Sequence, residues 1–144
     1  MQTIERVVIQ ASPAKIWQVL ADVERWPVWT PTVLHVEPLT GQGLQVGARY
    51  RVTQPKLRPG IYEVTERIPH QAFTWVQRVP GAMMIADHRL SPCDKGTEVE
   101  LSFSTEGLVG AVIGGIYSKL ISSYVRTEAK SLKTHCELLA AASA

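Results

Sequence analysis

His88 is the side chain in this sequence best suited to chemistry. It lies in the alternating stretch Met83 to Leu90, on the register of Met84, Ala86 and Leu90 and opposite Ile85, Asp87 and Arg89. An imidazole titrates near neutral pH, so an inward His88 can orient a carbonyl or serve as a general base. The alternative is a core histidine hydrogen-bonded to a neighbour. Gln77 and Gln54 also fall on inward registers, and a buried amide without partners costs roughly 2–7 kcal/mol. Each must therefore meet water, a polar network or a ligand. Tyr117 and Tyr124 are seven residues apart, two turns of one helix face, where hydroxyls serve a ligand or rings serve packing. Glu66 shares the register of Tyr62 and Val64. A buried unpaired carboxylate is costly, which points to a bulge or an exposed strand end there. Glu128 flanks the apolar side of the last helix, and we expect it to pair with a base such as Arg6 or Lys15, or to be exposed.

Other chemistries lack their residues. There is no HExxH or CxxC pattern, and His35, His70, His88 and His135 are far apart, so no metal site is expected. No GxSxG, P-loop or GxGxxG occurs, and no cofactor is expected. Cys93 and Cys136 read as free thiols in a reducing, cytoplasmic compartment, because the N-terminus shows no signal-peptide pattern.

The elements that must position these side chains follow from hydrophobic period. Thr3 to Gln10 is β-branched and reads as a strand. Ser12 is a good helix N-cap and Pro13 suits the first helical position, opening a helix over residues 13–22. A second short helical piece runs from Val23 to Trp29, where Pro27 and Pro31 prevent extension. The period then changes from 3.6 to 2. Strands are predicted at Val33–Leu39, Ala48–Gln54, Gly60–Ile68, Ala72–Val79, Met83–Leu90 and Thr97–Thr105. Val79-Pro80-Gly81-Ala82 fits a type II turn, and Ser91 to Gly96 reads as a polar hairpin loop. Six consecutive strands with short turns make an antiparallel meander, apolar on one face. Leu108 to about Ala141 has no proline and keeps a helical pattern, with Tyr117, Ile121, Tyr124, Leu132, His135 and Leu139 on one side. Such a helix is near 50 Å long, so one end should project or bend. Four glycines, Gly107, Gly110, Gly114 and Gly115, mark its start, as a mobile gate or as a close approach to the sheet.

Composition bounds the function. The 144 residues favour one domain over 1–144. Hydrophobic residues reach 45% and charged residues only 19%, which excludes disorder. A net charge of +2, scattered along the chain, excludes a nucleic-acid footprint. The most apolar run, Leu108 to Ile121, is shorter than the roughly 20 residues of a membrane span. What needs explaining is an apolar excess with four Trp in a small domain.

The element order and several local signatures resemble the START-like superfamily, also called SRPBCC or helix-grip, and within it the polyketide cyclase/dehydrase-type branch. The residues that carry the resemblance are Ser12-Pro13-Ala14-Lys15-Ile16-Trp17-Gln18-Val19-Leu20-Ala21-Asp22 and Trp26-Pro27-Val28-Trp29. Gly47, Pro92 with Gly96-Thr97-Glu98-Val99, and Leu132-Lys133 with Cys136-Glu137 add to it. The resemblance implies an α+β helix-grip fold: a curved antiparallel sheet of about seven strands around a long C-terminal helix, with two short helices after the first strand. It also implies an apolar cavity between helix and sheet. The alternation names the wall: Tyr50, Val52, Tyr62, Val64, Phe73, Trp75, Gln77, Met84, His88, Leu101 and Phe103 from the strands, with Ile113, Tyr117, Ile121 and Tyr124 from the helix. Trp26 and Trp29 should stand near the mouth, as a lid or as packing.

The expected function is binding of a hydrophobic small molecule of polyketide, aromatic, isoprenoid or lipid-like kind, by a monomer or homodimer. One alternative is a small cyclase/dehydrase-type enzyme that uses His88 for proton transfer. Another is an interaction module without an open cavity.

Overall fold

Seven strands form one antiparallel sheet in the computed structural model, which describes residues 1–143. They are β1 (Gln2–Ile9), β2 (His35–Pro38), β3 (Arg49–Thr53), β4 (Gly60–Ile68), β5 (Ala72–Val79), β6 (Ala82–Cys93) and β7 (Gly96–Glu106). Their spatial order is β1-β7-β6-β5-β4-β3-β2. The run from β2 to β7 is a meander, and β1 pairs with β7. Helix α1 (Pro13–Ala21) and a 3-10 helix (Val23–Val28) join β1 to β2, and α2 (Leu108–Ala142) ends the fold. This is the helix-grip α+β arrangement.

Local chemistry explains most boundaries. The Ser12 hydroxyl accepts from the Lys15 N–H at 3.3 Å, and Pro13 occupies the first turn of α1. Gly81 has φ +78°, the left-handed value a type II turn requires at its third residue. The pairing of β4 with β5 shifts between Val64 and Glu66. That bulge turns Glu66 away from the apolar face, where it meets Arg89 at 3.0 Å.

Several strand ends move by a residue or two, and three features differ more from the sequence reading. β2 covers His35–Pro38 rather than Val33–Leu39, because Thr30 and Thr32 bond each other through their hydroxyls at 2.8 Å and hold a turn there. The polar hairpin loop shrinks to Asp94 and Lys95. Pairing continues through Pro92 and Cys93, and Gly96 at φ +134° lets the chain reverse within two residues. The buried face of α2 is Ile121, Val125, Ala129, Leu132 and Cys136. Leu139 is exposed and His135 only partly covered, since a straight helix drifts away from a curved sheet.

The core joins α1, the 3-10 helix and α2 to the concave sheet face. Ile9, Ile16, Leu20, Phe73, Val64, Val99 and Leu132 are almost wholly buried, each such side chain contributing about 1.5–3 kcal/mol. α2 packs chiefly on β1, β7 and β6. Its glycines settle the question of gate against close approach at two positions. A Cβ on Gly114 would stand 2.5 Å from the Met1 Cβ, and one on Gly107 would clash with the Gly81 carbonyl, whereas one on Gly110 would make only ordinary contact with Thr105 and Ala82 at 3.5–3.7 Å. Gly115 faces open space. By length and composition α2 is long and apolar enough to cross a membrane; here its inner face fills the sheet. The expected projection is at its start, where Leu108, Val112 and Ile116 are 89%, 60% and 70% exposed.

Candidate ligand-binding site

Because α2 leans on the β1, β7 and β6 side, a gap opens between it and β3, β4 and β5. Aromatic side chains plug one part of this gap. Trp26, from the 3-10 helix, packs among Trp29, Phe73, Trp75 and His88 with ring centroids 5.3–6.2 Å apart. Its indole N–H donates to the Leu20 carbonyl at 3.0 Å. Aromatic pairs at these separations add about 0.5–1.5 kcal/mol each beyond area burial. Trp75 also meets Tyr50 at 6.0 Å and Tyr62 at 5.2 Å. A space of only about 60 Å³ is left inside the cluster, bordered by Trp26, Trp75 and His88.

The other part stays open. A pocket of about 300 Å³ lies between the first half of α2 and the sheet. Gln77, Met84, Tyr62 and Phe103 line it from the sheet, and Ile113, Tyr117, Ile121 and Tyr124 from the helix. Tyr62, Phe103, Val52, Gln54, Val125 and Glu128 border both spaces and form the partition. Leu57 and Arg58, from the loop after β3, complete the rim; the sequence reading left them out because a loop shows no register. The Tyr124 hydroxyl donates to the Pro55 carbonyl of that loop, so it ties helix to rim. Tyr117 is partly exposed, at 38%.

Three expected wall residues, Tyr50, Val64 and Phe73, and Trp29, expected at the mouth, stand elsewhere. Val64 and Phe73 are wholly buried in the core because the aromatic cluster leaves no space there. Tyr50 is 2% exposed and belongs to the solid core beside Trp75, because β3 lies where the aromatic cluster closes the gap. Trp29 borders shallow outer grooves formed with Val28, His135 and the last turns of α2. It stands outside the partition, and its buried indole N–H has no partner among the described residues.

His88 is buried beneath the plug. Its Nδ1 is 3.0 Å from the Phe73 carbonyl. A carbonyl only accepts, so the neutral ring carries its proton on Nδ1. Burial pulls the His88 pKa down to about 4, against the opposing effects of the Phe73 carbonyl and Asp87. The ring is therefore uncharged at neutral pH and a weak proton acceptor. It borders the 60 Å³ space and not the larger pocket.

Glu128 departs most from expectation. Arg6 pairs with Glu100 at 2.9 Å on the outer face of the sheet, and no ion pair or hydrogen bond engages Glu128 among the described residues. The reason is position: Glu128 sits beside Val125 and Ala129 on the inward side of α2, opposite Tyr62. Loss of hydration pushes its carboxyl up to about 8. A charge there would raise the Tyr62 phenol further, on top of its own burial. Helical period alone could have flagged Glu128 as inward, three residues after Val125 and four before Leu132. Gln54 donates to the Thr32 carbonyl at 3.2 Å, while Gln77 lies flat over Gly60, where a Cβ would touch its amide at 2.6 Å. Among the described residues no group of three or more His, Cys, Asp or Glu could hold a metal ion.

Solved structures share this architecture. The hypothetical protein jhp0584 from Helicobacter pylori superposes with a TM-score of 0.80 at 12% identity, covering 94% of this chain and 88% of its own. TTHA0849 from Thermus thermophilus gives 0.77 at 17% identity, covering all of both chains. NE0264 from Nitrosomonas europaea gives 0.74 at 13% identity over 98% and 97%. Likeness at such identities carries the fold alone. No curated protein matches the chain by sequence. The family model described as polyketide cyclase / dehydrase and lipid transport matches residues 1–137. Sheet, grip helix and the open space between them thus coincide with a match over nearly the whole length, and the chain belongs to the polyketide cyclase/dehydrase and lipid transport family.

Proposed function

We propose that this protein binds a hydrophobic small molecule in the pocket between α2 and the β3–β5 side of the sheet. The observation that carries the reading is the pocket of about 300 Å³, walled by Met84, Phe103, Ile113, Ile121 and Val125 with a few polar groups among them. That composition is typical of ligand sites, and the volume stands at the low end of their usual ~300–1,000 Å³. A compact aromatic, polyketide or isoprenoid body suits it better than a two-chained lipid. The open pocket also favours binding over an interaction module without a cavity. Proton transfer by His88 has little support, since that ring faces a space too small for a substrate. Cys93 and Cys136 are both free thiols, in keeping with a reducing, cytoplasmic setting.

Native mass spectrometry of the freshly purified protein tests the proposal. The expected result is a co-purifying small molecule, lost on gentle activation and absent from Ile121→Trp, which fills the pocket. Identical spectra for the two proteins, with no added mass in either, would overturn it.

A further inference from the structure

The pocket is greasy along most of its length, yet three oxygen-bearing side chains stand at its partition: Gln54, whose amide donates to the Thr32 carbonyl, and Glu128 and Tyr62. Glu128 comes from α2 and Tyr62 from β4, and both border the large pocket and the small space behind it. Neither the Tyr62 hydroxyl nor the Glu128 carboxyl has a hydrogen-bond partner within the protein among the described residues. Tyr62 is 8% exposed. Glu128 is half-buried, and neither oxygen is wholly sealed off from the pocket. A polar group largely withdrawn from water without a protein partner is still costly, so such groups are normally satisfied. Two on facing walls of a pocket point to a partner that arrives with the ligand. Resting on the binding reading above, we propose that Glu128 and Tyr62 form a donor pair that anchors an acceptor oxygen, so that the preferred ligand is an apolar body bearing a neutral ketone-type carbonyl.

The protonation states agree with this geometry. Dehydration holds the Glu128 carboxyl protonated up to about pH 8, so at neutral pH it carries an O–H to donate. The Tyr62 phenol is held protonated far above that. The titratable groups around the two spaces are Tyr62 on β4, Asp87 and His88 on β6, Arg58 in the loop after β3, and Tyr117 and Tyr124 on α2. Asp87 is occupied by Thr74 at 2.6 Å and Arg89 at 2.8 Å. His88 is neutral, and the Tyr124 hydroxyl is spent on Pro55. Among the described residues only Arg58 brings a cation to the rim. A ligand carboxylate would meet dehydrated walls and, above pH 8, the Glu128 charge.

The test compares two probes of nearly equal shape, 2-acetylnaphthalene and 2-ethylnaphthalene, by isothermal titration of the intact protein. At pH 6 the ketone should bind about tenfold more tightly, the worth of one good hydrogen bond in a dry site. The preference should shrink as pH rises through 8. Glu128→Leu should abolish it while leaving the hydrocarbon bound, and Tyr62→Phe should reduce it. Glu128→Gln, which keeps a donor, should retain it and lose the pH dependence. Hydrocarbon binding with an unchanged ketone preference in Glu128→Leu overturns the donor pair and leaves the pocket standing. If neither probe binds the wild-type protein, the binding reading falls and takes the donor pair with it.

Discussion

His88 donates its Nδ1–H to the Phe73 carbonyl at 3.0 Å and lies stacked on the Phe73 ring, 4.0 Å between centroids and 14° between planes. The two residues face each other across β5 and β6 in register. A cross-strand pair thus combines ring stacking with a backbone hydrogen bond, and burial in the aromatic plug keeps the imidazole neutral against the opposing pull of that carbonyl.

A pH dependence of stability follows. The His88 pKa falls from an ordinary 6.5 to about 4 on folding. Between these values the unfolded chain holds the proton and the folded chain does not, so stability rises with pH across the window and is lost as pH falls. The whole effect is at most about 3 kcal/mol. Urea denaturation of wild type and His88→Gln at pH 4.5 and 7 should show a gap between the proteins that narrows in acid. Glu128 titrates across part of this window with the opposite sign, and comparing the two proteins cancels it. A gap that stays constant with pH would show that the His88 proton is not linked to folding.

Gly60 and Gln77 should behave as one unit. The Gln77 side chain lies where a Gly60 Cβ would stand, 2.6 Å from its amide. In Gly60→Ala the flexible amide should swing into the pocket, at a stability cost of at most about 1 kcal/mol. Affinity for 2-ethylnaphthalene should fall several-fold. Adding Gln77→Ala should restore it, a coupling that a double-mutant cycle reads directly. Additive effects of the two substitutions would show that Gln77 does not occupy that space.

The neighbouring glycines of α2 should respond in opposite directions. Gly115 has nothing within 4 Å of a built Cβ, whereas Gly114 meets the Met1 Cβ at 2.5 Å and the Thr105 hydroxyl at 3.0 Å. Gly115→Ala should gain up to about 1 kcal/mol from helix propensity alone. Gly114→Ala should lose about 1 kcal/mol or more, because the helix must lift from β1 and β7. Thermal denaturation of both variants checks this. A gain in both would remove the close approach as the reason for Gly114.

The strands were legible because burial on one face imposes a period of two. Tyr62, Trp75, Gln77, Met84 and Phe103 could be assigned an inward side from that period, and all five border one of the two spaces. The same reasoning placed a bulge or a strand end at Glu66, and the bulge is there. It failed where register could not say what lies opposite. Tyr50 faces inward as expected, yet meets the ring of Trp75 and no open space. Glu128 stood one step off the apolar stripe of the helix, and neither Arg6 nor Lys15 pairs with it among the described residues.

By itself the sequence determined the order and type of the elements, because caps, turn glycines and hydrophobic period are local properties. The Ser12 cap, the Gly81 turn and the long proline-free helix each act within a few residues. Only the tertiary structure decided where the apolar surface becomes solid and where it stays open. That depends on α2 leaning toward β1, β7 and β6, and on Trp26 filling one part of the resulting gap. The same tilt set Glu128 at the edge of the pocket with no base paired to it among the described residues. No neighbour in sequence records that environment, because desolvation is set by every wall of the pocket at once.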